Sequence, residues 1–331
     1  MSLICPSAVG EGFLFRSEVT MKGKYYQLCT ICLVSAIALI ISTSCALTPE
    51  GKSPSQTTIT DQLGRTVALD KLPQRIISLA PSNTEILYAL GLADRVVAVT
   101  DYCNYPLEAE AKPTIGGFST PNIEEIVAFS PDLILATSIH ETKIIQQLEG
   151  KGLTVLALNP KTIDTVLEAI LLTGRVAGVE KNATELVGGM RQRIKAVTDR
   201  TAGLTPEQRP GAFCIVWHHP LKTAGSGTLQ DELIQKAGGT NIAQGLTDYA
   251  NISLEVVVRD NPEVIIAGVG HGSGQDQTFQ YAKTEPRLRH ANARRNSRIY
   301  AIDSDLTSRP GPRIVEGLEQ FAQFIHPELF N

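Results

Sequence analysis

A chain of 331 residues has room for about two domains. With 43% apolar and 19% charged residues it is an ordinary globular composition, which excludes a disordered chain. A formal net charge of −4 gives no electrostatic footprint for nucleic acid, so that partner class is excluded too.

The N-terminal segment reads as an export signal that begins late. Met21-Lys-Gly-Lys24 supplies a positive start, Leu28 to Ile41 an apolar stretch, and Ser42-Thr-Ser-Cys45 a small-residue end. The apolar run suits a signal sequence better than a membrane-spanning helix, which needs about 20 residues. Residues 1–20 lack this logic and read as an extension ahead of a true start at Met21. Residues 21–45 are the signal and 46–56 a polar linker. Cys45 falls where a bacterial lipoprotein would be cleaved and lipidated, although Ser42 stands where leucine is preferred. Plain secretory cleavage or an uncleaved anchor are the alternatives. Cys29 and Cys32 lie in the apolar run and carry no redox role. Cys103 and Cys214 remain for the folded part, where two free thiols are expected rather than an inter-lobe disulfide.

Residues 57–69 alternate weakly around Asp61-Gln-Leu-Gly-Arg65 and predict a hairpin. Strands follow at Arg75–Ala80, Arg95–Thr100 and Leu153–Leu158, with helices at Glu85–Leu90 and Glu141–Leu148. Amphipathic helices are predicted at Ile163–Ala177 and Ala183–Thr201, the second a stiff connector over residues 181–203. A second lobe, 204–331, repeats the pattern of the first, 57–180. Its strands are Ala212–Trp217 and Arg298–Ile302, with helices at Leu229–Lys236 and Ile314–Ile325.

One unit occurs in both lobes. Asn122 to Ala136 aligns without a gap on Ser253 to Ala267, placing Glu124 on Glu255, Pro131 on Pro262 and Asp132 on Glu263. Each copy reads as a short helix stopped near its proline and followed by a strand buried on both faces. The fold class is therefore α/β: two Rossmann-like lobes with mostly parallel sheets, joined by one long α-helix. Sites in such sheets lie beyond the carboxyl ends of the strands.

Aromatic residues are scarce, yet Tyr102, Tyr105, Phe118, Trp217 and Tyr249 fall at or beside predicted strand ends. Broad apolar faces with a few convergent polar groups suit a large flat ligand; local core packing is the competing reading. His218 and His219 are adjacent, so only one would face a ligand. Either is a candidate axial ligand to cobalt or haem iron, a hydrogen-bonding group, or a loop cap at Pro220. No dedicated metal site is expected, because His140, His218, His219 and His271 are scattered. Ala224-Gly-Ser-Gly-Thr228 lacks the lysine of a phosphate loop and reads as structural. No G-x-S-x-G elbow supports a hydrolase.

The phrases Arg75-Ile-Ile-Ser-Leu-Ala-Pro-Ser-Asn-Thr-Glu85, Asp101-Tyr-Cys-Asn-Tyr-Pro106, Thr223-Ala-Gly-Ser-Gly-Thr228 and Ser308-Arg-Pro-Gly-Pro-Arg313 resemble substrate-binding proteins of ABC importers, in the cobalamin and ferric-siderophore branch. The resemblance spans residues 74–330. It implies no enzyme activity, no cofactor, and a corrinoid as transported ligand, with a ferric siderophore or haem as the alternative; an exported enzyme on the same α/β scaffold is the competing class. It implies ligand contacts from Tyr105, Phe118, Trp217, Tyr249, Asp305 and Arg309. Glu124 and Glu255 match lobe-surface glutamates that dock on the permease subunits. Thr137 stands where a third cleft tryptophan would be, and His218-His219 replaces an aliphatic–amide pair. The expected state is a monomer outside the cytoplasmic membrane, lipid-anchored through Cys45.

Overall fold

Continuous apolar runs give this chain its sheets. The computed structural model describes residues 57–270 and 276–330, so Cys45, the signal and His271 lie outside the described residues. Strands β1 (Thr57–Thr60) and β2 (Thr66–Leu69) form the leading antiparallel hairpin. Its turn is built by Asp61, whose carboxylate accepts from the Leu63 and Arg65 amides at 3.0 and 2.9 Å. The same carboxylate accepts from the Ala157 amide at 3.1 Å and so docks the hairpin on the first lobe.

That lobe contains β3 (Ile76–Ser78), α1 (Pro81–Ala89), β4 (Val96–Val99), α2 (Ile123–Ala128), β5 (Leu133–Thr137), α3 (Gln146–Gly150) and β6 (Val155–Leu158). Its four strands are all parallel, in the order β4-β3-β5-β6. Helices α4 (Ile163–Ala177) and α5 (Glu180–Thr201) then lead out of it. At 22 residues α5 is about 33 Å long. It packs tightly on α4: a Cβ on Gly174 would come within 2.4 Å of the Ala183 Cβ, so only glycine fits there.

The second lobe contains β7 (Gly211–His218), β8 (Leu221–Ala224), α6 (Leu229–Lys236), β9 (Thr240–Asn241), β10 (Tyr249–Asn251), α7 (Leu254–Asp260) and β11 (Val264–Val269). It continues with α8 (Gln277–Thr284), α9 (Asn292–Arg295), β12 (Ile299–Asp303), α10 (Ser304–Ser308), α11 (Ile314–Ile325) and α12 (Pro327–Phe330). Strands β9, β7, β11 and β12 run parallel. The sequence predicts a loop from His218 to Thr228, but Leu221–Ala224 turns back on β7 as an antiparallel strand and carries β10 on its outer edge. The reason is burial: Thr223 and Ala224 are fully enclosed, and the Thr223 hydroxyl donates to the Cys214 carbonyl at 2.8 Å.

Alternation along the strands divides the core into three. Leu133 and Leu135 of β5, Leu156 and Leu158 of β6, and Val264 and Ile266 of β11 point into one cluster that runs through α4, α5 and α11 across both lobes. Ile134, Ala136, Val155 and Ala157 fill a separate layer in the first lobe, and Ile265 and Ala267 one in the second. Each sheet is thus covered on both faces.

The internal repeat holds at atomic detail. Asn122 caps α2 by accepting from the Glu124 and Glu125 amides, and Ser253 caps α7 by accepting from Val256. Before the two prolines, Ser130 and Asn261 both adopt left-handed backbone, with φ of 47° and 46°. The next acid, Asp132 or Glu263, accepts from the amide opening the central strand: Arg75 at 3.1 Å, Gly211 at 3.0 Å. Backbone burial at Asp132 opposes its charge, but Lys71 and the two amides it holds keep its pKa below the ordinary value.

Candidate functional site

Parallel strands bring their carboxyl ends to one edge, and the two lobes present those edges to one cleft. Its volume is about 710 Å³. The first lobe contributes Ala80–Ser82 after β3, Asp101, Tyr102 and Asn104 after β4, Thr137 and Ser138 at β5, and Leu158–Pro160 at β6. Phe118 and Ser119 stand beside them. The second lobe contributes Gly270 after β11 and Asp305, Ser308, Arg309 and Pro310 after β12.

Three of the residues expected at a ligand, Phe118, Asp305 and Arg309, line this cleft. Tyr249 lines an adjoining depression that shares Pro160, Ser308 and Pro310 with it. The Tyr249 ring is half-exposed while its hydroxyl donates to Gln230 at 2.8 Å; burial of that end pushes its pKa up to about 12. Tyr105 is not part of the described lining. Its ring lies under the Arg313 guanidinium, 3.9 Å from the ring centre. Trp217 and His218 also stand apart from the described lining, at the end of β7. The indole N–H donates to the His219 carbonyl at 2.8 Å, and the His218 ring sits between Trp217 and Tyr281, with Nδ1 at 3.4 Å from the Thr278 hydroxyl. His219 is exposed. Cys103 and Cys214 are free and buried; Cys103 packs against the Thr84 and Thr100 hydroxyls. Burial pushes the Cys214 thiol up to about 12.

Phe118 is held from behind by His140. This imidazole is fully buried; its Nδ1 accepts from the Thr137 amide at 3.0 Å, which places the proton on Nε2, and Nε2–H donates to the Phe118 carbonyl at 2.7 Å. The two rings meet edge to face with centroids 5.4 Å apart. Burial lowers the His140 pKa, against the opposing pull of the Phe118 carbonyl, so the ring is neutral at pH 7.

Sequence reasoning missed the ionic centre behind the cleft. Glu85, in α1 of the first lobe, has a side chain 2% exposed. It accepts two bonds from Arg313, Nε to Oε2 at 2.9 Å and Nη2 to Oε1 at 2.6 Å, and one from Arg309 Nη1 at 3.3 Å. Arg309 further donates to Asn104 Oδ1 at 2.7 Å and pairs with Asp305 at 2.7 Å. Burial opposes the charge of Arg313, but its hydrogen bonds to Glu85 hold its pKa above the ordinary value. Both partners stand in phrases legible in the sequence, Pro81–Glu85 and Ser308–Arg313. A glutamate immediately before the apolar Ile86-Leu87 of the helix was the available signal.

Glu124 and Glu255 lie outside the cleft lining, on α2 and α7, with side chains 77% and 76% exposed. Each has a basic neighbour, Lys151 at 3.8 Å and Arg287 at 3.5 Å. One turn further along each helix an apolar side chain, Val127 or Val258, is exposed.

Two α/β lobes, one connecting helix and a cleft at the facing strand ends are the architecture of a two-lobed binding protein. The family model described as "Periplasmic binding protein" matches residues 76–306, and the chain belongs to that family. It is 32% identical over 282 residues to an uncharacterized ABC transporter substrate-binding lipoprotein of Bacillus subtilis (strain 168), covering 83% of this chain and 87% of the relative. It is 29% identical over 274 residues to a cobalamin-binding protein of Halobacterium salinarum, covering 80% and 73%. Among solved structures, a possible iron-binding (periplasmic solute-binding) protein from Staphylococcus epidermidis ATCC 12228 superposes with a TM-score of 0.67 at 29% identity, covering 77% of this chain and all of that one. The protein is thus an extracytoplasmic substrate-binding component of an ABC importer, working with a permease on a small ligand.

Proposed function

We propose that the cleft captures cobalamin or a related corrinoid and hands it to the permease. The observation that carries this reading is the chemistry of the lining. Among the described residues it holds two carboxylates, Asp101 and Asp305, one guanidinium, Arg309, and no lysine. Its other polar groups are hydroxyls and amides: Ser82, Asn104, Ser119, Thr137, Ser138, Asn159 and Ser308. A corrinoid presents a ring of neutral amides around a cationic metal centre, which suits such a lining. Haem carries two propionates and many ferric siderophores are anionic; both would meet a slight excess of negative charge. Phe118 and Tyr102 supply apolar faces for the macrocycle.

Delivery uses the two lobe tips. Glu124 and Glu255, each followed by an exposed valine, form a matched pair of faces for basic pockets on two permease subunits. In this reading the protein works as a monomer tethered by a lipid on Cys45. Replacement Cys45→Ala is expected to release it from the membrane fraction.

Calorimetric titration of the purified protein with cyanocobalamin, and separately with a ferric hydroxamate and haemin, tests the ligand. One-to-one saturation by cyanocobalamin, weakened in Phe118→Ala, supports the reading. Silence with cyanocobalamin and saturation by haemin or the ferric chelate would overturn it.

A further inference from the structure

Glu85 does not line the cleft and its side chain is 2% exposed, yet it is the counter-ion of Arg309, which lines the cleft, and of Arg313, which stands behind the lining. Without it, Arg309 in the lining and Arg313 behind it would stand as a two-guanidinium cluster, which is the usual recognition element for carboxylates and phosphates. With it, Arg313 is held along its Nε–Nη2 edge, and its guanidinium lies over the Tyr105 ring. Arg309 is shared between Glu85, Asn104 and Asp305, which fixes its guanidinium in place.

We propose that Glu85 is a specificity-determining positioning residue: its buried charge, together with that of Asp305, offsets the arginine pair, so that the cleft selects uncharged or cationic ligands and rejects anionic ones of the same shape. The inference deepens the corrinoid reading above and rests on it for the identity of the preferred ligand. It adds a residue that touches no ligand but sets which charge the site tolerates. Burial makes the effect large, because a charge enclosed by protein acts on the cleft through a lower effective dielectric than a surface charge does.

The test compares two ligands of one shape. Cyanocobalamin and its monocarboxylic acid, in which one side-chain amide is hydrolysed to a carboxylate, are titrated into wild type, Glu85→Gln and Glu85→Asp. Wild type is expected to prefer the amide. Glu85→Gln is expected to shift the ratio of the two affinities toward the acid by about tenfold, and the gain should shrink in high salt. Glu85→Asp, which keeps the charge, should retain the wild-type ratio. A purely structural role would weaken both ligands together and leave the ratio unmoved, and that result would overturn the proposal. If Glu85→Gln does not fold, Arg313→Gln is compared with the double variant Glu85→Gln/Arg313→Gln, where removal of the Glu85 charge must shift the ratio in the same sense. If wild type binds no corrinoid, the ligand reading fails by itself. Haemin titration of the same variants then decides: tighter haemin binding by Glu85→Gln than by wild type supports the role of Glu85, and no gain refutes it.

Discussion

Replacing His140 with alanine removes the pin behind Phe118 and should cost more than a typical buried substitution. The ring is fully enclosed and makes two hydrogen bonds, to the Thr137 amide and the Phe118 carbonyl. Truncation leaves two half-buried backbone groups unpaired, at up to about 1–3 kcal/mol each, and adds a void where the buried ring stood. We expect a total loss of about 3–5 kcal/mol. For a folded part of this size that is a fall in Tm of about 6–12 °C. The variant should also release ligand faster, because Phe118 loses its backing. The effect depends on pH. Burial holds the folded pKa of His140 below its ordinary value of 6.5, so between those two values the unfolded chain binds the extra proton. The stabilisation from His140 is therefore complete above about pH 6.5 and is lost as pH falls through that window. Urea unfolding of wild type and His140→Ala at pH 7.5 and pH 5 checks both points: the gap between them should narrow at the lower pH. A gap below 1 kcal/mol at pH 7.5 (about a third of the smallest expected loss) would refute the reasoning.

Three further outcomes follow from other contacts. Gly225→Ala should destabilise strongly, since the new Cβ would lie 2.4 Å from the Leu246 carbonyl oxygen and backbone cannot yield cheaply; thermal unfolding measures it, and an unchanged Tm would show that the loop shifts freely. Asp61→Ala removes the acceptor of the Leu63, Arg65 and Ala157 amides and is expected to cost about 2–4 kcal/mol and to expose the leading hairpin to limited proteolysis. Glu124→Ala with Glu255→Ala should leave ligand affinity within a factor of about two while uptake in whole cells falls, since both side chains are exposed and outside the cleft lining; a parallel loss of affinity would argue against docking.

Much of this architecture could be read from local pattern. The alternation of apolar runs with amphipathic helices is a short-range property, and it places the strands of both lobes and the connecting helix. The repeat of Asn122–Ala136 in Ser253–Ala267 is equally local, because caps, left-handed stops and proline depend on neighbours a few residues away. Strand β8 escaped detection because Leu221–Ala224 is too short to show a period, and its conformation is fixed by pairing with β7. The placement of aromatic residues was legible only in part. Phe118 reaches the cleft, while Tyr105 is claimed by Arg313 and Trp217 by the His219 carbonyl.

By itself, the amino-acid sequence determined the α/β class, the two lobes, the long connecting helix and the family. Only the tertiary structure decided what stands behind the cleft. Glu85 and Arg309 are 224 positions apart, and Glu85 and Arg313 are 228 apart. Periodicity and propensity carry no information over such distances. That pairing exists because the two sheets bring their strand ends face to face, where a buried carboxylate must find cations, and the two it pairs with come from the other lobe.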